Sequence, residues 1–332
     1  MPSHIKPTIH QFQIIRPEFV LKQTESIDWL SKAHSLVEKN DLNSLKAIHM
    51  QRKYSHYGCS ENKIATRGTE VEDFTHQKWD KMNLFHMKDL KKTSLDERMS
   101  FYKQKVSNAF EQLYKSPPSQ ELIPNNLLHV TCTGYVSPSP AQTWLQRQKW
   151  GQNCQVTHLY HMGCYASIPA LRMAKALLKE KGGNVLIKHN ELCTLHFSPW
   201  NSSPEQLVIQ SLFSDGHIGY LVSLPDKVTP GLEILSNREM IIPNSTEDMS
   251  WTPGADGFKM TLSPLVPKMI TEHLPSFLRE WLLKEDHHFE AILKEAYFAI
   301  HPGGPKIIND LRSLLISHLF LPFFLCIFKL PL

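Results

Sequence analysis

Residues 161–181 read HMGCYASIPALRMAKALLKEK, and the fold class turns on how this stretch is read. A thiol that must attack a carbonyl is well placed at the start of a buried helix, where unpaired backbone N–H groups and the positive end of the helix dipole favour thiolate over thiol. Cys164 stands at such a start. Gly163 leaves room for close backbone approach, and Ser167 and Pro169 suit a first helical turn. Beyond them Ala170, Leu171, Met173, Ala174, Ala176, Leu177 and Leu178 are apolar on most sides, and only Arg172, Lys175 and Lys179 form a polar stripe. The spacing predicts a central helix that stops at Gly182-Gly183. A buried cysteine is more often an inert small hydrophobe, so the stretch alone leaves both readings open.

Outward from this helix, the chain of 332 residues is long enough to bury a large core as one domain or two fused halves. Its apolar share of 41% and mixed charge describe a globular protein. The net charge of +4 is small, no basic run exceeds a pair such as Lys91-Lys92, and a nucleic-acid groove is therefore not expected. A diffuse basic bias suits a small phosphate-bearing molecule such as coenzyme A. Six scattered cysteines without a C-x-x-C pair, and an N-terminus MPSHIKPTIH without an apolar core, point to reduced thiols in the cytoplasm. His158, His161 and Cys164 recur every third residue, but no fourth ligand is evident and no metal is expected.

In chain order, residues 9–22 alternate as a first strand, and residues 23–48 carry a helical pattern with Trp29, Leu30, Leu36 and Leu42. Lys63 and Arg67 lie in a polar segment where they could meet phosphates or stay as solvated surface charges. Residues 94–114 space Met99, Val106, Phe110 and Leu113 as one helical stripe. LLHVTCTGYV (127–136) reads as a buried strand, NVLIKHNELCTLHF (184–197) as another, and SLFSDGHIGYLV (211–222) as a third, with Gly216 and Gly219 allowing close approach of another backbone. GLEIL, MIIP and GFKMTL suggest further strands, and residues 266–283 and 288–297 suggest helices. In YFAIHPGGPKIINDL, Ala299 and Ile300 read as a strand end with His301 at its tip; Gly303-Gly304 make a tight loop and Pro305 starts a helix. A histidine at a strand end facing a glycine loop is where open α/β folds place chemistry, although a lone histidine is more often structural.

Four blocks taken together, VTCTGYVSPSPAQ, HMGCYASIPALRMAK, SLFSDGHIGY and FAIHPGGPKII, resemble the type III polyketide synthases, the chalcone-synthase-like condensing enzymes of the thiolase fold. The resemblance runs from about residue 9 to about residue 315. It implies an α/β protein, a layered α-β-α-β-α sandwich of two related halves: residues 1–224 with the nucleophile, and residues 225–313 with the catalytic histidine, the second half incomplete at its C-terminal end. It implies that Cys164 accepts an acyl group from an acyl-CoA and that His301 is its base. It implies that malonyl-CoA then extends the chain by decarboxylation before cyclisation to a pyrone or resorcinol type of product. By the same resemblance Phe197 gates the acyl channel, Thr131, Cys132, Thr133, Leu262, Gly303 and Gly304 line the cavity, and Lys63 and Arg67 meet coenzyme A. Coenzyme A thioesters are the substrates, no metal or redox cofactor is needed, and a homodimer is implied.

Three departures stand out. Leu262 replaces a bulky cavity phenylalanine of plant members, which is closer to bacterial members that use fatty acyl starters. The 137–140 Ser-Pro-Ser-Pro turn replaces a methionine that reaches across the dimer. The family's Gly-Asn-Met-Ser-Ser motif, whose asparagine shares the oxyanion work, is missing, and losing one such donor commonly costs about 10²–10³ in rate. In its place residues 314–332 read LLISHLFLPFFLCIFKLPL, open to three readings: a shifted or truncated reading frame, a segment packed into the core, or a membrane anchor broken by Pro322 and Pro331. Two other functions remain in view: a ketoacyl-carrier-protein synthase of the third type, and a non-catalytic thiolase-fold remnant that binds acyl groups or a partner.

Overall fold

The computed structural model describes residues 6–39, 45–113, 122–224, 230–289, 291–292 and 296–316, so most of the apolar tail lies outside the described residues. The chain opens with β1 (Thr8–Ile15) and β2 (Phe19–Lys22). These are two strands where one was predicted, because Pro17 between them has no N–H to continue a ladder. α1 (Gln23–Lys39) and α2 (Leu45–Tyr57) divide the predicted first helix, and β3 (Thr66–Thr69) pairs with β2. α3 (Leu95–Leu113) begins on a capping box: the Ser94 hydroxyl accepts from the Glu97 N–H at 3.2 Å, and the Glu97 carboxylate accepts from the Ser94 N–H at 2.7 Å.

Then come β4 (Asn126–Thr131), α4 (Pro140–Arg147), β5 (Gln155–Tyr160), α5 (Ser167–Lys181), β6 (Asn184–Leu192), α6 (Pro204–Leu212) and β7 (Asp215–Ser223). α4, β5 and α6 were not expected. α4 starts on the capping box of Ser139 and Gln142, and α6 on the cap of Ser203, inside segments rich in serine and proline that read as turns. β8 (Leu232–Glu233) replaces the longer GLEIL strand, and residues 240–243 are irregular. β9 (Met249–Gly254) and β10 (Gly257–Leu262) form a hairpin, followed by α7 (Val266–Lys284) and α8 (Pro305–Ile316). Part of the predicted helix 288–297 lies outside the described residues. Ala299 and Ile300 do not lie in a strand: Phe298 makes a single bridge, and His301 follows in irregular backbone.

Six strands form one sheet in the order β5-β4-β6-β7-β1-β8. β4 runs parallel to both β5 and β6, and the remaining pairs are antiparallel. Register makes the core. Leu127, Leu186 and Leu221 align across β4, β6 and β7 and face α1 and α3, while Leu128, Ile187 and Tyr220 align on the opposite face, in the same cluster as Ala170 and Ala174 of α5. β4 is buried along its whole length, as a strand covered on both faces must be. Gly219 is needed for close approach, since a Cβ there would lie 2.7 Å from Leu113 of α3.

α5 ends as expected, with Gly182 at φ +64 and its N–H on the Leu178 carbonyl. It is less central than its composition suggests. Pro169, Ala170, Leu171, Ala174 and Leu178 are buried, whereas Met173 is 37% exposed, because among the described residues only one sheet packs against the helix. The residues after 224 add β8 to that sheet, the hairpin, and a small core in which Leu278 of α7 and Leu315 of α8 meet Phe289 and Phe298.

Among the buried polar side chains of the core, one is a lysine in mid-strand. Lys188, in the middle of β6 and opposite His129, is fully buried, and its Nζ has no hydrogen-bond partner; Phe110 lies 5.8 Å below it. Burial lowers its pKa to about 7. The folded protein therefore holds this lysine less protonated than the unfolded chain between about pH 7 and 10.5, and its contribution to stability rises with pH across that window. Lys188→Met is expected to raise stability at pH 7 by about 1–4 kcal/mol and to flatten that rise, as measured by urea melts at pH 7 and 9.5.

Candidate active site

Because β4, β5 and β6 are parallel, their carboxyl ends open on the same edge of the sheet, where α/β proteins commonly bind ligands. Thr131, Cys132 and Thr133 leave β4, Tyr160 and His161 leave β5, and Glu191 and Leu192 close β6. Glu191 joins two of these exits. Its carboxylate accepts the Cys132 N–H at 2.9 and 3.0 Å and the Thr133 hydroxyl at 2.8 Å, and the Thr133 oxygen accepts the Leu192 N–H at 2.9 Å. The third exit is tied in by the Gly163 N–H, which donates to Cys132 Sγ at 3.1 Å. Gly163 has φ +85, a left-handed conformation that glycine reaches without strain.

Cys164 follows immediately, in a turn, with its surface open to solvent. The expected thiolate does not hold in this geometry. Crowding by surrounding atoms raises the Cys164 pKa, and the charge of Glu191 raises it further. α5 begins only at Ser167, and its cap residue Ala166 brings no side-chain bond, so the dipole end is too far from the thiol to outweigh those two effects. Burial pushes Glu191 itself up to about 7 and Cys132 up to about 12, and it holds Cys193 well above the ordinary thiol range. The three cysteines around this carboxylate are all thiols at neutral pH.

His301 lies in the irregular segment before α8, exposed, with Gly303 packed beside its ring and Gly304 near Leu212 of α6. Burial lowers its pKa. Among the described residues it shares no hydrogen bond with Cys164. Thr131 and Thr133 are buried beside the Glu191 network, and Cys132 is half-buried. Phe197 is 5% exposed in an aromatic cluster, with ring centroids 5.4 Å from Trp29 and 5.5 Å from Phe85, and it walls a cavity of ≈ 40 Å³ shared with Arg67, Cys193, His196 and Phe213. That volume holds water rather than an acyl chain. Leu262 ends β10, where its N–H meets the Glu205 carboxylate at 2.5 Å. Lys63 is exposed. Arg67 is a correction: it is buried, donates to the Phe213 carbonyl and feels the charge of Asp215, so its guanidinium serves the interior and not a phosphate in solvent.

Several residues at the site gave no signal in the sequence. His196 donates from Nε2 to the Thr133 carbonyl at 2.8 Å and accepts the Phe258 N–H at 3.0 Å, and burial takes its pKa down to about 3. Asp215 accepts from the N–H of Glu70 and from the N–H and hydroxyl of Thr194, and burial pushes it up to about 6. Glu191 was not singled out either, and the signal that could have found it is an acidic residue closing an apolar strand. A groove of ≈ 750 Å³ opens at Tyr165, next to Cys164, walled by Ile168, Met240, Ile242, Leu274 and Phe277. Among the described residues no group of three His, Cys, Asp or Glu side chains could hold a metal ion, and no helix is long and apolar enough to cross a membrane.

Residues 117–223 match the chalcone and stilbene synthases, N-terminal domain. The chain is 28% identical over 234 residues to Polyketide synthase 37 of Dictyostelium discoideum, covering 68% of this chain and 8% of that protein. It is 28% identical over 160 residues to Type III polyketide synthase A of Arabidopsis thaliana, covering 47% of this chain and 40% of that one. The chain thus spans less than half the length of these relatives. Among solved structures, PKS-I from the brown alga Ectocarpus siliculosus superposes with a TM-score of 0.77 at 21% identity, over 93% of this chain and 80% of that one. 1,3,6,8-Tetrahydroxynaphthalene synthase from Streptomyces coelicolor A3(2) superposes with a TM-score of 0.69 at 21% identity, over 93% and 81%. These superpositions make the architecture a thiolase-type α/β fold.

Glu191→Gln keeps an acceptor for the Cys132 N–H and removes the charge that opposes a Cys164 thiolate. Alkylation of Cys164 by iodoacetamide, followed by intact mass, is expected to run about threefold or more faster than in the parent at pH 8. The difference should vanish below pH 6, where the parent carboxyl, titrating at about 7, is itself protonated.

Proposed function

We propose, from the match of residues 117–223 to the chalcone and stilbene synthases, N-terminal domain, and from the 28% identity to the polyketide synthase relatives, that the chain is a condensing acyltransferase of the type III polyketide synthase kind. The observation that carries the proposal is Cys164 itself. It lies inside the matched segment, open to solvent, directly after the Gly163 turn and beside the exits of β4 and β6. That is an address for a nucleophile and not for a packing residue.

In the proposed reaction the Cys164 sulfur attacks the thioester carbonyl of an acyl-CoA, the carbon–sulfur bond to coenzyme A breaks, and the acyl group stays on Cys164. Malonyl-CoA then loses carbon dioxide. The enolate left behind attacks the Cys164 thioester, which frees the thiol and leaves a chain two carbons longer on coenzyme A. The Cys164 pKa is raised and the His301 pKa is lowered, so the reaction starts from a neutral thiol and a neutral imidazole. The proton must therefore move as the sulfur–carbon bond forms, which is general-base catalysis and not attack by a preformed ion pair. His301 is the base by resemblance. The apolar groove that begins at Tyr165 gives a fatty acyl starter a surface to lie on. A homodimer, with Lys63 at the coenzyme A phosphates, belongs to the same proposal.

Incubation with a fatty acyl-CoA is expected to add one acyl mass to the folded protein, and Cys164→Ala should abolish the gain. His301→Ala should slow the transfer by about 10²-fold. A folded parent that gains no acyl mass would overturn the proposal and leave a thiolase-type protein without condensing activity.

A further inference from the structure

The turn that delivers Cys164 is held from above by the β9–β10 hairpin. His161 has φ +60, a conformation that a residue with a Cβ adopts only when its surroundings impose it. Two bonds impose it here. The His161 N–H donates to the Thr131 carbonyl at 2.8 Å, and its ring Nε2 donates to the backbone carbonyl of Trp251 at 2.5 Å. The Trp251 indole N–H in turn donates to the Cys132 carbonyl at 2.5 Å, and Cys132 Sγ receives the Gly163 N–H. These contacts close a ring: Trp251, Cys132, Gly163, His161 and back to Trp251.

The hairpin is itself seated. Phe258 stacks on His196 at 4.2 Å with the planes 12° apart, and Gln206 of α6 donates to the Met260 carbonyl at 2.8 Å. Tyr135, His161 and Phe258 close the remaining side, with centroids 5.3 to 6.0 Å apart. Nothing in this ring is needed to pair the strands of the main sheet. Each bond in it ends on the segment just before Cys164 or on the β4 exit beside it.

We propose that Trp251 and His161 are positioning residues, which hold the turn before Cys164 so that the thiol is presented at one place beside the β4 exit. The proposal rests on Cys164 as the acyl acceptor, and its test includes a readout that does not. Trp251→Phe keeps a ring against Phe258 and His196 and deletes the indole N–H. His161→Ala deletes the second bond, and His161→Gln returns a side-chain N–H donor.

In Trp251→Phe and His161→Ala the freed turn should leave the crowding that raises the thiol pKa. Iodoacetamide should then alkylate Cys164 about fivefold faster at pH 7.5, with the melting temperature within a few degrees of the parent. His161→Gln should return the rate to within about twofold of the parent. Acyl transfer from a fatty acyl-CoA should change the other way, falling about tenfold or more in kcat with KM unchanged, because a displaced thiol loses near-attack geometry. Parent-like alkylation in both Trp251→Phe and His161→Ala would overturn the positioning role, whatever acyl transfer does. The expected alkylation rates in a parent that gains no acyl mass would uphold the positioning role and overturn only the condensing reaction.

Discussion

The Glu191 carboxylate ties the end of β6 to the end of β4 by taking the Cys132 N–H and the Thr133 hydroxyl. Every other feature of the site is referred to that tie. Cys132 is fixed by it, Gly163 hangs on Cys132 Sγ, and Cys164 follows Gly163. The same carboxylate sets the chemistry. Its charge raises the pKa of three thiols, and burial raises its own, so the site rests with protonated sulfur near neutral pH.

The segment after β6 is hydrogen-bonded from several sides. Arg98, buried under it, donates to the carbonyls of Leu195 and Phe197, and Asp215 takes both the N–H and the hydroxyl of Thr194. His196 bridges the same segment to the β4 exit on one side and to the hairpin on the other. A hydrogen-bonded network of this kind gives a single arrangement, because leaving any member unpaired in the interior is expensive. The face of the sheet toward α3 continues the polar theme away from the site: Asn190 donates to His217, and the His217 Nε2 faces Glu70 at 3.3 Å. Lys188, on the same face, has no such partner for its Nζ, and its burial works against the fold.

Local rules made much of the architecture legible in advance. β4 reads as a buried strand from its apolar run, α3 and α5 from their periodicity, the end of α5 from its glycine pair, and the start of α8 from Pro305, since each depends on neighbours within a turn or two. Cys164 was legible as a candidate because its glycine and the helix after it are local too. Some elements were missed for local reasons as well: the Ser-Pro-Ser-Pro segment at 137–140 that reads as a turn supplies the cap of α4, and Ser203-Pro204 starts α6.

The chemistry of the site was decided elsewhere. Glu191 and Cys132 are 59 residues apart, Arg67 and Phe213 are 146 apart, and Trp251 and Cys132 are 119 apart, and no spacing rule reaches across such intervals. Protonation follows from burial and from which charge lies alongside, so a cysteine that reads as a thiolate at a helix start has its pKa raised once desolvation, and then a carboxylate, act on it. The sequence by itself determined β4, α3, α5 and the place of Cys164 ahead of α5, because those are written in short-range pattern. Only the tertiary structure decided what surrounds that cysteine, because parallel strand pairing brings together ends that lie far apart along the chain.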